Sequence, residues 1–415
     1  MSNQQENSLL TQPLLAVDDA LALLENAAKI TSNTQLLALD DVLGMVLAVD
    51  VYANIAVPGF DNSAMDGYAI HLQAEQVDKT GGFAFAITDR ITAGSIGKTL
   101  APNCAARIFT GAPVPKGANT VVMQEQCELI ENGSKIEVYQ PIALGQNIRP
   151  LGNDIEFGEL ILTKCKQLLP QDIALAASVG IDKLEVFAPI KVGVFFSGDE
   201  LVSPKTGALQ AGQIFNSNRY SLVAMLNKLG CEVLNIGNVK DTFADSLEAL
   251  KTLQSSCDLI ITTGGVSVGE EDHIKPAVQK LGKLDMWRIN IKPGKPLAFG
   301  NVGQSSFIGL PGNPVSAMVT FFLFAQPFIR KMQGIKNYQN QALKVCCDFD
   351  WQRENSRREY LRVRINHENL PVTVELYPKQ GSDVLSSMVW ADGLLEVPEN
   401  TTFTQGQLLD YYSLT

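Results

Sequence analysis

Residues 190 to about 330 alternate strand-like apolar runs with helical runs, and this alternation limits the possible folds more than any other feature of the chain. Apolar runs and helices in regular succession are typical of a mostly parallel β-sheet with helices on both faces. The pattern therefore predicts an α/β domain here. The strand-like runs are KVGVFFSG, CEVLNIG, DLIITTGG and SSFIGLPG, and the helical runs include RYSLVAMLNKLG and FADSLEALKTL.

The segments on either side of this stretch are β-rich. A chain of 415 residues is too long for one compact core, so several domains are expected. Asp18 and Asp19 are expected to cap a first helix. Between about 45 and 165, glycine and proline separate short apolar runs, which predicts strands, and a helix starting near Pro170 links the two halves of the chain. Beyond residue 340, short strands predict a small β-barrel or sandwich.

Composition argues against several classes of function. The chain has 33 basic and 44 acidic residues, a net charge of −11 without a basic stripe, which argues against nucleic-acid binding. The longest apolar stretch, near residues 317–329, is too short to cross a membrane and should be a core helix. Seven cysteines without tight CxxC spacing argue against disulfides and structural zinc and favour the cytoplasm. With only three histidines, carboxylates and lysines must carry any chemistry.

Three glycine-containing loops follow strand-like runs: FFSGDEL (195–201), TTGGVSVGEED and GLPGNPVS (309–316). Ligands of open parallel sheets bind outside the carboxyl ends of the strands. Each loop is expected to lead into a helix, whose N-terminus favours an anion. A single TGG is more often an ordinary turn, but three such loops on one edge predict a phosphate cradle. The loops match neither a Walker A motif nor a GxGxxG fingerprint.

Acidic residues follow the second of these loops, at Glu270, Glu271 and Asp272. Acids on a solvated face are the simpler interpretation for the first two. Asp272 stands just past the cradle, with Glu200 on the neighbouring loop. These two carboxylates are therefore candidates to hold a magnesium ion that bridges phosphate oxygens.

Two further segments carry candidate groups. In IKPGKPLAFG (291–300), Lys292 and Lys295 flank a Pro-Gly turn, and they suit an oxyanion clamp unless they are ordinary surface lysines. In PGFDNSAMDGYAI (58–70), several polar residues including Asp61 stand between apolar stretches. An Asx-capped turn by itself explains much of this second segment.

Taken together, these segments resemble the molybdopterin molybdenumtransferase family, bacterial counterparts of the gephyrin E domain. The resemblance implies an α/β multidomain fold, an elongated homodimer of four-domain subunits, and an α/β sheet domain like that of the molybdopterin adenylyltransferases. The implied domains are a linking domain (14–50 and 148–188), a β-rich projecting domain (51–147), an α/β molybdopterin-binding domain (189–335) and a C-terminal β-barrel (340–415). The motifs that carry the resemblance are PGFDNSAMDGYA, FTGAPVPKGANTVVMQE, RPLGNDI, SGDEL, TTGGVSVGEEDH, IKPGKPLAFG, LPGNPVS and GSDVLSSMVWADGL.

The resemblance also implies a magnesium-dependent transferase that takes adenylylated molybdopterin and molybdate, inserts the metal and releases AMP. It implies contacts with the adenylyltransferase and with recipient molybdoenzymes. The implied catalytic acids are Asp61, Asp154, Glu200, Asp241 and Asp272, of which Glu200 and Asp272 would hold the metal ion. The implied substrate-binding residues are Thr110, Gly264, Gly265, Ser267, Gly312 and Asn313. The implied molybdate-binding residues are Lys292, Lys295, Ser316, Arg362 and Ser382.

Two other functions remain open from the sequence. A molybdopterin adenylyltransferase acts one step earlier, and the sheet domain alone does not separate the two activities. A gephyrin-like scaffold would keep the fold and bind a receptor peptide. The β-rich N-terminal half and the barrel favour molybdenum insertion, and the filled acidic positions argue against a scaffold without activity.

Overall fold

The structure is a computed structural model that describes residues 14–79, 82–265, 273–368 and 371–414. The strands of its α/β domain are β1 (Lys191–Ser197), β2 (Glu232–Val239), β3 (Leu259–Thr263), β4 (Gly282–Arg288), β5 (Pro296–Val302) and β6 (Ser305–Leu310). They form a six-stranded sheet in the order β2-β1-β3-β6-β5-β4. Strands β2, β1, β3 and β6 are mutually parallel, β5 pairs antiparallel with β6, and β4 pairs antiparallel with β5. The mostly parallel sheet expected from the sequence is therefore confirmed.

Helices cover both faces of this sheet because its strands alternate apolar side chains between two cores. Val194 and Phe196 of β1 belong to one core, while Phe195 packs into the other with Leu253. A Cβ atom on Gly193 would come within 2.7 Å of Leu253, so the helix can pack this closely only because the residue is glycine. The helices are α1 (Ser217–Lys228), α2 (Phe243–Gln254), α3 (Ile274–Leu281), α4 (Pro314–Thr320) and α5 (Gln326–Met332), with a π-helical turn at Phe321–Ala325.

The C-terminal region is a closed five-stranded barrel, as predicted. Its longest strand, Arg358–Asn366, pairs with Thr373–Leu376 on one side and Gly393–Val397 on the other, and this pairing closes the barrel. A short strand of the α/β domain, Ile291–Lys292, adds to the start of Arg358–Asn366 and connects barrel to sheet. The other barrel strands are Leu343–Cys347 and Leu408–Ser413, and a short helix spans Ser386–Trp390.

The N-terminal half contains a second six-stranded sheet and three two-stranded pairings. The pairings bring residues 34–63 against residues 148–187. The sheet strands are Gly67–Ile70, Phe83–Ile91, Cys104–Ile108, Thr120–Met123, Cys127–Ile130 and Lys135–Val138. The paired strands are Thr34–Ala38 with Lys183–Phe187, Val51–Tyr52 with Leu160–Leu162, and Asn62–Ser63 with Ile148–Arg149, and a helix spans Pro170–Ser178.

The first described helix, Val17–Ala27, packs its buried face into the core of the α/β domain. The N-cap is Ala16, and Asp18 lies inside the first turn, so the expectation that Asp18 or Asp19 caps this helix is wrong. Instead, Asp18 accepts two hydrogen bonds from Arg358 of the barrel, at 2.7 and 2.8 Å. The domain boundaries inferred from the sequence stay a prediction. Within the described ranges, no helix is long and apolar enough to cross a membrane.

Candidate functional site

The carboxyl ends of the central parallel strands meet at one edge of the sheet. Gly264, directly after β3, donates its N–H to Leu310 O at the end of β6, at 3.2 Å. A Cβ atom on Gly312 would lie 3.7 Å from the Gly264 Cα, so these two loops are in contact. Gly264 has φ +81°, and a Cβ there would approach Ser197 O to 2.8 Å. The three strand ends thus form a continuous edge that excludes a side chain at residue 264.

Asn218, near the start of α1, holds this edge together. Its amide donates to Gly312 O at 2.6 Å and approaches Thr263 Oγ1 at 3.5 Å. The side chain is buried, and its Oδ1 has no hydrogen-bond partner among the described residues. Asn218 therefore fixes the loop after β6 and leaves one buried acceptor beside the glycine loops.

Carboxylates gather on the β1–β2 side of the same edge. Ser197 Oγ donates to Asp241 Oδ1 at 2.8 Å, and the Asp241 N–H donates to Asp199 at 3.2 Å. The Glu200 carboxylate folds back over Gly198, since a Cβ on that glycine would lie 2.7 Å from Glu200 Oε2. The sequence predicted that the loop after β1 leads directly into a helix, and this prediction is wrong. After the loop, Leu201–Val202 first pairs with Ile214–Phe215.

The metal-ion prediction rests partly on residues that the structure does not describe. Asp272 and Ser267, together with Glu270 and Glu271, lie outside the described residues. Within the part of the chain that is described, no three carboxylate, histidine or cysteine side chains are grouped closely enough to hold a metal ion. The assignment of Glu200 and Asp272 as metal ligands therefore stays a prediction.

Asp61, Asp154 and Thr110 lie in the N-terminal half of the chain, and all three are exposed. Asp61 accepts a hydrogen bond from the Leu151 N–H at 2.8 Å, and the Asp154 N–H donates to a carbonyl of the facing loop. Both the N–H and the hydroxyl of Thr110 donate to Asp66 at 2.8 Å, and these bonds lower the pKa of Asp66. These groups form a second cluster, separate in sequence from the sheet edge.

The lysine-bearing turn lies where the α/β domain meets the barrel. Lys292 Nζ is 2.7 Å from Oε1 of Glu359, which lies on the barrel strand Arg358–Asn366. The turn itself packs closely on α4, because a Cβ on Gly294 would lie 2.4 Å from Thr320 and 3.6 Å from Ser316 O. Gly294, two residues after Lys292, therefore lies beside Ser316 at this junction. The assignment of Lys292 and Ser316 as molybdate-binding residues stays a prediction.

Ser382 joins the glycine edge to this junction. Asn313 donates its side-chain amide to Ser382 Oγ at 3.0 Å, and the Val315 N–H donates to Ser382 O. The Arg362 guanidinium fixes the same loop by donating a hydrogen bond to Gly381 O at 3.2 Å. The Arg362 side chain is buried, and burial lowers its pKa to about 10, although Glu359 opposes the shift.

Lys295 lies among other cations. Burial lowers its pKa, and the positive charges of Arg288 and Arg357 lower it further. An anion bound beside Lys295 would relieve this repulsion. The junction is therefore electrostatically suited to an oxyanion.

Comparison with known proteins identifies the family. The MoeA N-terminal region (domain I and II) matches residues 15–180, a probable molybdopterin binding domain matches residues 193–331, and the MoeA C-terminal region (domain IV) matches residues 344–414. A molybdopterin molybdenumtransferase of Haemophilus influenzae is 41% identical over 382 residues, which cover 91% of this chain and 92% of that protein. This chain belongs to the molybdopterin molybdenumtransferase family.

Other members of the molybdopterin molybdenumtransferase family match over a similar length. Molybdopterin molybdenumtransferase 2 of Mycobacterium tuberculosis is 32% identical over 90% of this chain and 93% of its own. The crystal structure of a molybdopterin biosynthesis MoeA protein from Pyrococcus horikoshii superposes with a TM-score of 0.84 at 29% identity, over 97% of this chain and 100% of that one. The family and the multidomain fold inferred from the motifs are both confirmed.

The sequence did not predict two residues that shape the site of this molybdopterin molybdenumtransferase family member, Asn218 and Glu359. Asn218 follows the true N-cap of α1, Asn216, which accepts a hydrogen bond from the Arg219 N–H at 3.0 Å. The sequence NSNRY before a helical run signals a cap but not which asparagine turns inward. Glu359 has no local signal, because its partner Lys292 belongs to another domain.

Proposed function

We propose that the protein transfers molybdenum from molybdate to adenylylated molybdopterin and releases AMP. The observation that carries this proposal is the adjacency of two unlike surfaces: glycine-lined strand ends at Gly264 and Gly312, and a cationic junction containing Lys292 and Lys295. Asn313 and Ser382 connect the two through a 3.0 Å hydrogen bond. The names of the relatives support the same reaction.

Each surface suits one reactant. Backbone N–H groups beside glycine can approach phosphate oxygens closely, and Gly312 and Asn313 are exposed for such contact. Molybdate is a tetrahedral dianion, which ammonium and hydroxyl donors bind well. Holding the oxyanion beside the anhydride and the dithiolene supplies catalysis by positioning and charge neutralisation, without a protein nucleophile.

We further propose that the reaction uses Mg²⁺. Carboxylate oxygens are the ligands that this hard cation prefers, and Asp199, Glu200 and Asp241 lie on one side of the sheet edge. Glu200 and Asp272 would bind the ion in this proposal. When bound, the ion would neutralise charge on the phosphate oxygens of the anhydride.

A homodimer would explain why the acidic residues fall into two clusters. Asp61 and Asp154 are exposed in the N-terminal half, while Glu200 and Asp241 lie at the sheet edge. In a twofold dimer, the N-terminal half of one subunit can face the sheet edge of the other. We propose that each site contains the Asp61 group of the partner subunit.

AMP release tests this proposal and separates it from the adenylyltransferase alternative. Purified protein is incubated with adenylylated molybdopterin, with and without molybdate and Mg²⁺, and in parallel with molybdopterin and ATP. We expect AMP only when molybdate and the divalent cation are both present, and no pyrophosphate from ATP. Release of AMP at full rate with chelator and without molybdate would contradict the mechanism, and pyrophosphate formation would favour the adenylyltransferase.

A further inference from the structure

The junction contains a buried carboxylate whose role the sequence did not suggest. Glu359 is 3% exposed, and its Oε1 lies 2.7 Å from Lys292 Nζ. Its other oxygen, Oε2, is buried and has no hydrogen-bond partner among the described residues. Lys292 and Glu359 are also directly paired in the backbone register between the two domains. The carboxylate thus depends on one ammonium group held at a fixed position.

This arrangement restricts Lys292. A carboxylate buried away from water is strongly destabilised when its directly paired counter-charge leaves, so moving Lys292 away would leave Glu359 without its ion-pair partner. Lys292 keeps 37% of its side chain exposed, and an ammonium has three N–H donors. One donor can stay on Glu359 while the others face a ligand. Lys292 can therefore bind an anion without leaving Glu359.

The surrounding charges explain why the anchor is an acid. Arg288 and Arg357 act on Lys295, and Arg362 is within electrostatic range of Glu359. The positive charges of Arg288 and Arg357 disfavour the charged form of Lys295, and the negative charge of Glu359 offsets part of the positive charge at the junction, as it does for Arg362. A neutral amide at the same place would accept a hydrogen bond but would offset no charge.

We propose that Glu359 is a positioning residue for the oxyanion substrate. From the barrel, Glu359 holds the ammonium group of Lys292, in the α/β domain, in the position in which it binds molybdate. This inference rests on the proposed function, because it takes Lys292 as a molybdate donor. It adds that the barrel takes part in oxyanion binding through a residue that need not touch the substrate.

A double-mutant cycle tests the inference through the KM for molybdate, measured with adenylylated molybdopterin as co-substrate. The variants are Lys292→Ala, Glu359→Gln and the double variant. We expect Glu359→Gln to raise the molybdate KM about three- to tenfold, with kcat at saturating molybdate and the KM for adenylylated molybdopterin unchanged. In the Lys292→Ala background, Glu359→Gln should have no further effect on that KM, since the residue acts through Lys292.

Glu396→Gln is the matched control. Glu396 is a barrel carboxylate, 13% exposed, that accepts a hydrogen bond from the Tyr360 hydroxyl and lies near Arg358. Its replacement removes the same charge from the barrel without touching Lys292, so the molybdate KM should not change. An equal rise in Glu396→Gln would reveal a general effect of barrel charge and would overturn the assignment.

Glu359→Asp covers the case in which the amide variant does not fold. The aspartate keeps the charge, but its shorter side chain draws back from Lys292, so the molybdate KM should rise less than in Lys292→Ala. An unchanged or lowered KM in either Glu359 variant, or additive effects in the cycle, would overturn the inference. If Lys292→Ala itself leaves the molybdate KM unchanged, Lys292 does not bind molybdate, and both that assignment and this inference are overturned.

Discussion

At the scale of single residues, Gly264 and Gly312 touch each other but tolerate a side chain differently. Gly264 combines φ +81° with a backbone oxygen 2.8 Å from where a Cβ would lie, whereas a Cβ on Gly312 would meet only an ordinary contact at 3.7 Å. A positive φ alone costs about 1 to 3 kcal/mol for a residue other than glycine. Alanine at Gly264 therefore tests the stability of the sheet edge, whereas alanine at Gly312 tests ligand binding there.

We predict that Gly264→Ala lowers the melting temperature clearly and that Gly312→Ala melts like the wild type but has a raised KM for adenylylated molybdopterin. Gly230→Ala is the control, because Gly230 has φ +74° with open space around it and reports the cost of backbone strain alone. Gly264→Ala should destabilise more than this control. Unchanged substrate kinetics in a folded Gly312→Ala protein would remove the loop after β6 from the binding site.

A second prediction concerns Lys295, whose charge is disfavoured by burial and by Arg288 and Arg357. Lys295→Ala should weaken molybdate binding about ten- to a hundredfold, the effect of losing one charge-assisted hydrogen bond. Millimolar molybdate should restore part of the activity. Lys344→Ala serves as control, since this barrel lysine pairs with Asp410 at 3.0 Å. Normal molybdate affinity in Lys295→Ala would disprove the oxyanion role of this lysine.

At the scale of secondary-structure elements, one ion pair ties the first helix to the barrel. The Arg358 guanidinium donates two hydrogen bonds to Asp18 and lowers the pKa of that carboxyl. A carboxyl with a lowered pKa stabilises the fold above its unfolded pKa, near 3.8, and this contribution is lost as pH falls through the folded value. The Asp18 side chain is 72% exposed, so the contribution should be below about 1 kcal/mol.

We therefore predict that Asp18→Asn is slightly less stable than the wild type at pH 6 and that the difference disappears as pH falls below about 3.8. Free energies of unfolding measured from pH 3 to 6 provide the test. Asp19→Asn, one residue along the same helix, is the control. A stability difference that stays constant down to pH 3 would show that Asp18 acts through something other than its charge.

Elements with local signals were predictable from the sequence, and those defined by distant pairing were not. Strand β1 (KVGVFFS) is apolar after its first residue, and both of its faces are buried. This continuous apolar pattern is typical of a parallel sheet covered by helices, so the sheet could be predicted from the sequence. The loop after β1 was wrongly expected to enter a helix, because the pairing of Leu201–Val202 with Ile214–Phe215 depends on a partner outside any local pattern. The role of Glu359 was not predictable from the sequence for the same reason. Its position is set by the register between two domains.

At the scale of the whole molecule, the two acidic clusters lead to a prediction about assembly. In the proposed homodimer, Asp61→Ala and Lys295→Ala subunits should each have little activity on their own when molybdate is limiting, if both residues serve the proposed reaction. If one site takes Asp61 from one subunit and Lys295 from the partner, each mixed dimer contains one intact site. Random exchange should then restore about a quarter of all sites.

Subunit exchange must be verified in this experiment, for example by mass spectrometry of differently tagged chains. Activity near a quarter of the wild-type value after exchange is the expected result. Mixed dimers that remain inactive would mean that Asp61 and Lys295 serve one site from the same chain. The proposed arrangement of the dimer would then be wrong, and the AMP-release experiment would remain the test of the reaction.

The location of bound molybdate tests the central claim most directly, because molybdenum scatters anomalously near its absorption edge. Crystals soaked in molybdate are measured above and below that edge, with Lys295→Ala crystals as the comparison. We predict one strong anomalous peak at the junction between the α/β domain and the barrel, within hydrogen-bonding distance of Lys292, Lys295 or Ser382, and a much weaker peak in the variant. A dominant peak away from this junction, or one unaffected by loss of Lys295, would contradict the account.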